Sequence, residues 1–234
     1  MIDSLSALDA KVTVAVNALH SPYFDQFMYL FSNKWIWVPM YATILIILYK
    51  RYNLKAAVLF LVAIAMTITI TDQLCASIIR PIFERMRPAN PDGPIAQLIH
   101  IVNGYRGGPY GFPSCHAANS FALATFLCLI RRRWLFGIVI VLWAVVNAYS
   151  RLYLGVHFAG DLIVGAVIGS AVGFGLFAIT ARVARTRYFA HPAADTSLSA
   201  IALTTHPLRP LTVYDLLPLT FASTTASIAL AAAF

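Results

Sequence analysis

Apolar stretches long enough to cross a bilayer, separated by short basic turns, constrain this chain more than any other feature. Five such stretches fall at about 35–49, 56–79, 114–130, 134–149 and 158–181. The first opens on Trp35 and Trp37 as an aromatic anchor and closes on Lys50 and Arg51. With 60% hydrophobic and only 11% charged residues in 234, the chain carries more apolar surface than a soluble domain of this length buries. The expected fold class is therefore all-α, an integral-membrane bundle of five or six transmembrane helices.

Residues 1–34 are expected to form an interfacial segment. Leu5, Leu8, Val12, Val16 and Leu19 recur at helical spacing with Asp9, Lys11 and Asn17 between them, the pattern of an amphipathic helix on the membrane surface. A short buried helix is the other reading. Acids at Asp3 and Asp9, and the lack of a long apolar core after a basic start, argue against a cleaved signal peptide. Residues 80–113 are rich in Pro and Gly and read as one long loop outside the hydrocarbon. The membrane domain is placed at 1–187. The tail, 188–234, ends in an Ala-, Ser- and Thr-rich apolar stretch that reads either as a sixth span or as a loosely attached extension.

The net charge of +8 does not form one polar stripe, so nucleic acid is not an expected partner. Instead, Lys50, Arg51, Lys55, Arg131, Arg132, Arg133, Arg182, Arg185 and Arg187 fall on one side when the spans are counted, nine of the 17 basic residues. By the positive-inside tendency that side is cytoplasmic, which puts the long loop and the turn near Arg151 on the extracytoplasmic side. Three cysteines are too few for a disulfide framework, and Cys75 and Cys128 read as packing within the membrane.

Polar residues gather on the extracytoplasmic ends in three clusters. Arg80 and Arg87, followed by Pro88, are seven residues apart, close to two helical turns, so their guanidiniums can point the same way if the segment stays nearly helical past Pro81. Read alone, arginines at the end of a span anchor to headgroups. Pro113-Ser114-Cys115-His116 stands where a Gly-rich loop meets an apolar helix, whose first N–H groups favour an anion and which Ser114 can cap. His116 within that first turn either donates a proton or merely bonds backbone. Ser150-Arg151 precedes His157 and Asp161, which are four apart, so on a helix the carboxylate can orient the imidazole and sharpen its free nitrogen as a nucleophile. The same ridge continues as Gly165, Gly169 and Gly173, a seam for close helix packing. Zinc around His100, His116, His157 and Asp161 is disfavoured, because three arginines nearby repel a cation. Asp72, an acid inside the second span, reads as a functional candidate or as the partner of a neighbouring polar group.

These three clusters, in this order, resemble the type 2 phosphatidic acid phosphatase superfamily, the lipid phosphate phosphatases related to glucose-6-phosphatase and to vanadium haloperoxidases. The family pattern runs Lys, six residues, Arg-Pro; Pro-Ser-Gly-His; and Ser-Arg, five residues, His, three residues, Asp. It stands here with Arg80 in place of Lys and Cys115 in place of Gly. The resemblance implies a phosphatase needing no metal or other cofactor. In it His157, oriented by Asp161, attacks phosphorus, His116 protonates the leaving oxygen, and Arg80, Arg87, Arg151, Ser114 and the Cys115 N–H bind phosphate. The substitution at Cys115 adds a side chain where close backbone approach was expected. The implied partner is a lipid phosphate from the bilayer, with the oligomeric state left open, and the expected location is a bacterial inner membrane, with the site facing outward by the charge count alone. The short chain and outward site point to undecaprenyl pyrophosphate, with lipid A, phosphatidylglycerol phosphate and phosphatidic acid as alternatives. A non-catalytic headgroup-binding membrane protein would use the same basic cluster without turnover. A vanadate-dependent peroxidase is expected on a soluble body, and the apolar spans argue against it.

Overall fold

The computed structural model describes residues 2–52, 54–130, 134–184 and 216–233, and these described residues form helices joined by loops, with an isolated bridge between Met86 and Tyr110. In chain order the helices are α1 (Ile2–Asn17), α2 (Pro22–Phe31), α3 (Val38–Arg51), α4 (Leu54–Phe83), α5 (Cys115–Ile130), α6 (Trp134–Tyr153), α7 (Ala159–Ala184) and α8 (Leu216–Ala231). Three of them, α4, α6 and α7, are long and apolar enough to cross a membrane. The helices flanking residues 32–33 pass that test only as a pair bent by 63°, while α5 and most of α8 are shorter apolar helices. Large side chains such as Leu61, Met66, Ile163, Val167 and Phe174 stay exposed on the outer faces, as a lipid-facing surface requires.

The expected first span is thus broken rather than continuous. Asn33 caps the short turn Lys34–Trp37 by accepting from the Trp35 N–H at 3.0 Å, and the Trp37 indole donates to the Phe31 carbonyl at 2.8 Å across the break. Pro22 at the start of α2, with Ser21 as its cap, begins a separate helix that the hydropathy pattern did not resolve. Trp37 is fully buried, lying edge-on to Phe31 and Trp143 and stacked on Phe221 of α8. Helix α8 therefore packs into the core, with Leu217 fully buried, rather than trailing from it. Residues 188–215 of the expected tail lie outside the described residues, as do Arg131, Arg132, Arg133, Arg185 and Arg187.

Helices α5 and α7 meet along the predicted glycine ridge. A Cβ on Gly169 would land on the Ala118 carbonyl, and those on Gly165 and Gly173 would meet the carbonyls of Ser114 and Ala122. Only glycine allows the two backbones this close, which fixes the relative height of the helix starts carrying His116 and Asp161.

Helix α1 turns its polar side inward. Asp9, Thr13 and Asn17 are spaced four apart, with Thr13 and Asn17 fully buried, whereas Leu5, Leu8 and Leu19 are more than half exposed. Asn17 clamps the long loop to α6: its amide donates to the carbonyls of His100 and Tyr153, and its Oδ1 accepts from the His100 N–H at 2.7 Å. The apolar face of α1 points outward, and its polar face holds the site's loops.

Candidate active site

The starts of α5 and α7 are tied to one another. The Ser114 N–H donates to the Asp161 carbonyl at 3.0 Å, and the Ser114 hydroxyl caps α5 by accepting from the Ala117 N–H at 3.4 Å. Between α6 and α7, Gly155 takes a left-handed conformation (φ +68°) that a side chain would strain, turning the chain so that His157 faces inward.

His157 is 2% exposed. Its Nε2 lies 3.0 Å from an Nη of Arg87, and its Nδ1 lies 3.4 Å from Oδ2 of Asp161, a long contact rather than a strong hydrogen bond. The carboxylate is held more firmly by other groups. The Phe158 N–H donates to Oδ2 at 3.0 Å and Arg85 donates to Oδ1 at 2.8 Å. The second Arg85 nitrogen pairs with Asp9 of α1 at 2.7 Å, and Asp9 in turn accepts from the Gly160 N–H at 2.8 Å. Phe158 lies beneath the Arg85 guanidinium, 3.9 Å from its ring centre. Burial, followed by the charges of Arg87, Arg151 and Arg80, holds the His157 imidazolium well below its usual range, so the ring is neutral near pH 7.

Arg80, Arg87 and Arg151 converge on one cavity of about 930 Å³, whose wall also includes Cys115, His116 and His157. Arg80 donates to the Pro113 carbonyl at 3.2 Å and to the Cys115 sulfur at 2.9 Å. Arg87 donates to the carbonyls of Tyr110 and Val156, and Arg151 to the Tyr105 hydroxyl at 2.9 Å. The Nε atoms of Arg80 and Arg151 are buried without a partner. Burial, together with the neighbouring charges of Arg80 and Arg151, lowers Arg87 to about 10. Such a concentration of buried positive charge is costly unless it meets an anion, and forked guanidiniums suit phosphate oxygens.

Over residues 56–185 the sequence matches the model of the PAP2 superfamily, more than half of the chain. The chain belongs to the PAP2 superfamily. Among its relatives, the lipid A 4'-phosphatase of Bacteroides thetaiotaomicron is 58% identical over 176 residues, covering 75% of this chain and 76% of that protein. The lipid A 4'-phosphatase of Porphyromonas gingivalis is 36% identical over 206 residues, 85% of each chain. The crystal structure of a transmembrane PAP2-type phosphatidylglycerolphosphate phosphatase from Bacillus subtilis shares the fold, with a TM-score of 0.58 at 20% identity, over 79% of this chain and 89% of that one. The protein is accordingly a membrane lipid phosphatase of the PAP2 superfamily.

The eight residues that the resemblance assigned to the site lie together, but by routes the spacing did not foresee. Helix α4 continues past Pro81 only to Phe83, through a π-helical turn at Leu74–Ile79. Glu84 then takes a left-handed turn (φ 44°) and Arg87 reaches the pocket from the loop, paired back to Pro109 by backbone. Arg80 and Arg87 therefore meet by chain reversal, not by sharing a helical face. Ser114 and Asp161 are fully buried and stand behind the cavity wall. The Ser114 hydroxyl caps α5 as an acceptor, as its place at the helix start predicted, which leaves its own proton to donate. Sequence reading missed Arg85 and Asp9, which hold the Asp161 carboxylate, and Tyr105, which holds Arg151. Asp72 accepts from the Asn119 amide at 3.1 Å, so it does pair with a polar neighbour.

Of the zinc set considered above, His100 groups with other residues than His116, His157 and Asp161. It pairs with Asp25 at 2.7 Å and stacks on His20, and these three are the group close enough to share a cation among the described residues. The hydrogen bond between His100 and Asp25 and the stacking already hold them.

Proposed function

We propose that the protein removes the 4'-phosphate of lipid A at the arginine-lined cavity, through a phosphohistidine on His157. The observation that carries the chemistry is the neutral, buried His157, whose Nε2 faces Arg87 and the cavity it shares with two other arginines and His116. In the first step Nε2 attacks phosphorus, the bond from phosphorus to the sugar oxygen breaks, and His116 gives that oxygen its proton. In the second, His116 takes a proton from water, the oxygen attacks phosphorus, and the nitrogen–phosphorus bond breaks to release phosphate and the neutral imidazole. Arg80, Arg87, Arg151 and the Cys115 N–H hold the equatorial oxygens as charge shifts among them. Asp161 orients the ring, and Ser114 serves the pocket by starting α5 in the right place. The arginines supply the positive charge that a metal would otherwise bring, so the reaction is metal-independent.

The substrate choice rests on the two lipid A 4'-phosphatases, at 58% and 36% identity over most of the chain. They support the lipid A alternative over undecaprenyl pyrophosphate. We also take the site to face outward from a bacterial inner membrane, because Lys50, Lys55 and Arg182 lie at the opposite ends of the spans.

The test is phosphate release by purified protein in detergent, with EDTA present, from lipid A and from undecaprenyl pyrophosphate. Lipid A is expected to be cleaved with at least tenfold higher kcat/KM, and the position freed is read by mass spectrometry. Faster turnover of undecaprenyl pyrophosphate would overturn the substrate assignment, and dependence on a divalent ion would overturn the mechanism.

A further inference from the structure

The cavity does not end at the phosphate-binding arginines. It continues into the bundle, where its wall carries Asp72 of α4, Asn119 of α5, and Trp143 and Asn147 of α6, before giving way to Ile44, Leu45, Leu61 and Ile64. At 1.5 Å per helical residue, Asp72 and Trp143 lie about 12 Å deeper than Arg80 and Arg151, and Asn119 about 6 Å deeper than Cys115. The cavity thus has three layers, with arginines at the top, neutral and acidic hydrogen-bonding groups in the middle, and aliphatic side chains below.

The middle layer needs a reason to exist. Polar side chains within spanning helices are costly unless satisfied, and bundle packing alone is served by the aliphatic residues around them. Two of these groups are left unsatisfied inside the protein. Trp143 is 3% exposed with its indole N–H unpartnered, and Asn119, whose amide nitrogen donates to Asp72, has a buried Oδ1 without a donor. The layer therefore offers a donor at Trp143 and acceptors at Asn119 and Asp72. A ligand that answers both must donate and accept, as hydroxyl and amide groups do. Diacylglycerol and polyprenyl phosphates offer ester carbonyls or hydrocarbon at this depth, which can accept at most.

We propose that this layer is a sugar subsite, binding hydroxyl or amide groups of a glycolipid headgroup while the arginines hold its phosphate and the aliphatic layer takes an acyl chain. It rests on the lipid A reading and extends it, since it names residues that select a glycolipid over other lipid phosphates. Contacts of this type discriminate strongly, because the wrong substrate leaves buried polar groups unpaired.

The full-length protein is assayed in detergent with lipid A and with phosphatidic acid, as wild type and as Trp143→Phe and Asn119→Leu. Trp143→Phe keeps an aromatic ring but loses the donor together with part of the surface that packs on Trp37 and Tyr41, so the ratio between two substrates is read, which a loss of packing alone would not move, and it serves even if Asn119→Leu folds poorly. The ratio of kcat/KM for lipid A to that for phosphatidic acid is expected to fall about five- to tenfold in each variant, mainly through KM. An unchanged ratio in Trp143→Phe, whether both activities hold or both drop together, overturns the subsite and leaves the lipid A reading standing. A wild type that cleaves phosphatidic acid and not lipid A overturns both.

Discussion

The two ends of the α5–α7 pair are held by different forces. At the site end, hydrogen bonds and ion pairs do the fixing, with Ser114 bound to the Asp161 backbone, Phe158 and Arg85 bound to its carboxylate, and Asp9 bound to Arg85 and Gly160. Farther along, polar partners give way to contact between backbones, where Gly165, Gly169 and Gly173 lie against Ser114, Ala118 and Ala122. The difference separates chemistry from folding. Groups at the site end aim reacting atoms, and the glycine seam sets the distance at which any aiming is possible.

Two substitutions break that comparison in opposite directions. His157→Ala is expected to lower phosphate release by about a thousandfold or more, since loss of the proposed nucleophile leaves only binding and electrostatic effects. Its melting temperature in detergent should stay near wild type. Gly169→Val drives a branched side chain into the Ala118 backbone and should destabilise by about 1–3 kcal/mol or prevent insertion, with activity lost in step with folded protein. Thermal unfolding and phosphate release measured on the same samples separate the two. An unfolded His157→Ala, or a fully stable Gly169→Val, would erase the division of labour.

That division also marks what the sequence makes legible. Spans and the glycine ridge are periodic, and periodic features follow from helical geometry without knowledge of tertiary contacts, whereas His157 lies in the bend before α7 and meets Asp161 through the turn after Gly155 and not along a helical face. The break at residues 32–37 is not periodic. It depends on Trp37 bonding the Phe31 carbonyl, and hydropathy averaging runs across it. Arg85 is hidden for another reason. It sits two residues before Arg87, yet it pairs with Asp9 and Asp161, each 76 positions away, and no local pattern reports such distances. Asp9, Thr13 and Asn17 do share a helical face, so an inward polar side of α1 was visible in principle. It was masked because the apolar residues drew the reading toward the lipid.

Arg85 and Asp9 sharpen the comparison, because they serve the chemistry from outside the cavity. Neither lines the cavity wall, and both act through the Asp161 carboxylate. Arg85→Gln removes both ion pairs and leaves the buried Asp161 charge uncompensated, so kcat is expected to fall by about a hundredfold. Asp9→Asn keeps Arg85 in reach of Asp161 and should cost about tenfold. In both variants KM should move less than kcat, because the arginines proposed to meet phosphate are untouched. A rise in KM with unchanged kcat would assign these residues to binding instead.

The smallest effect is expected at Cys115, where the family pattern has glycine. Its side chain enters the pocket wall, but the sulfur turns toward Arg80 and accepts from it at 2.9 Å, leaving the backbone N–H at the start of α5 in place. Sulfur is a weak acceptor, and phosphate competes better for the same guanidinium. Cys115→Gly should therefore change kcat/KM by less than about threefold, with the gain of a free Arg80 donor set against the flexibility of glycine in the first turn. A thiol-alkylating reagent separates the side chain from the backbone. Modification of Cys115 would place bulk beside Arg80 and His116, so wild type should lose activity in a phosphate-protectable way while Cys115→Gly resists. Equal inactivation of both proteins would mean that the sulfur does not face the phosphate site, and the contact with Arg80 would lose its meaning for catalysis.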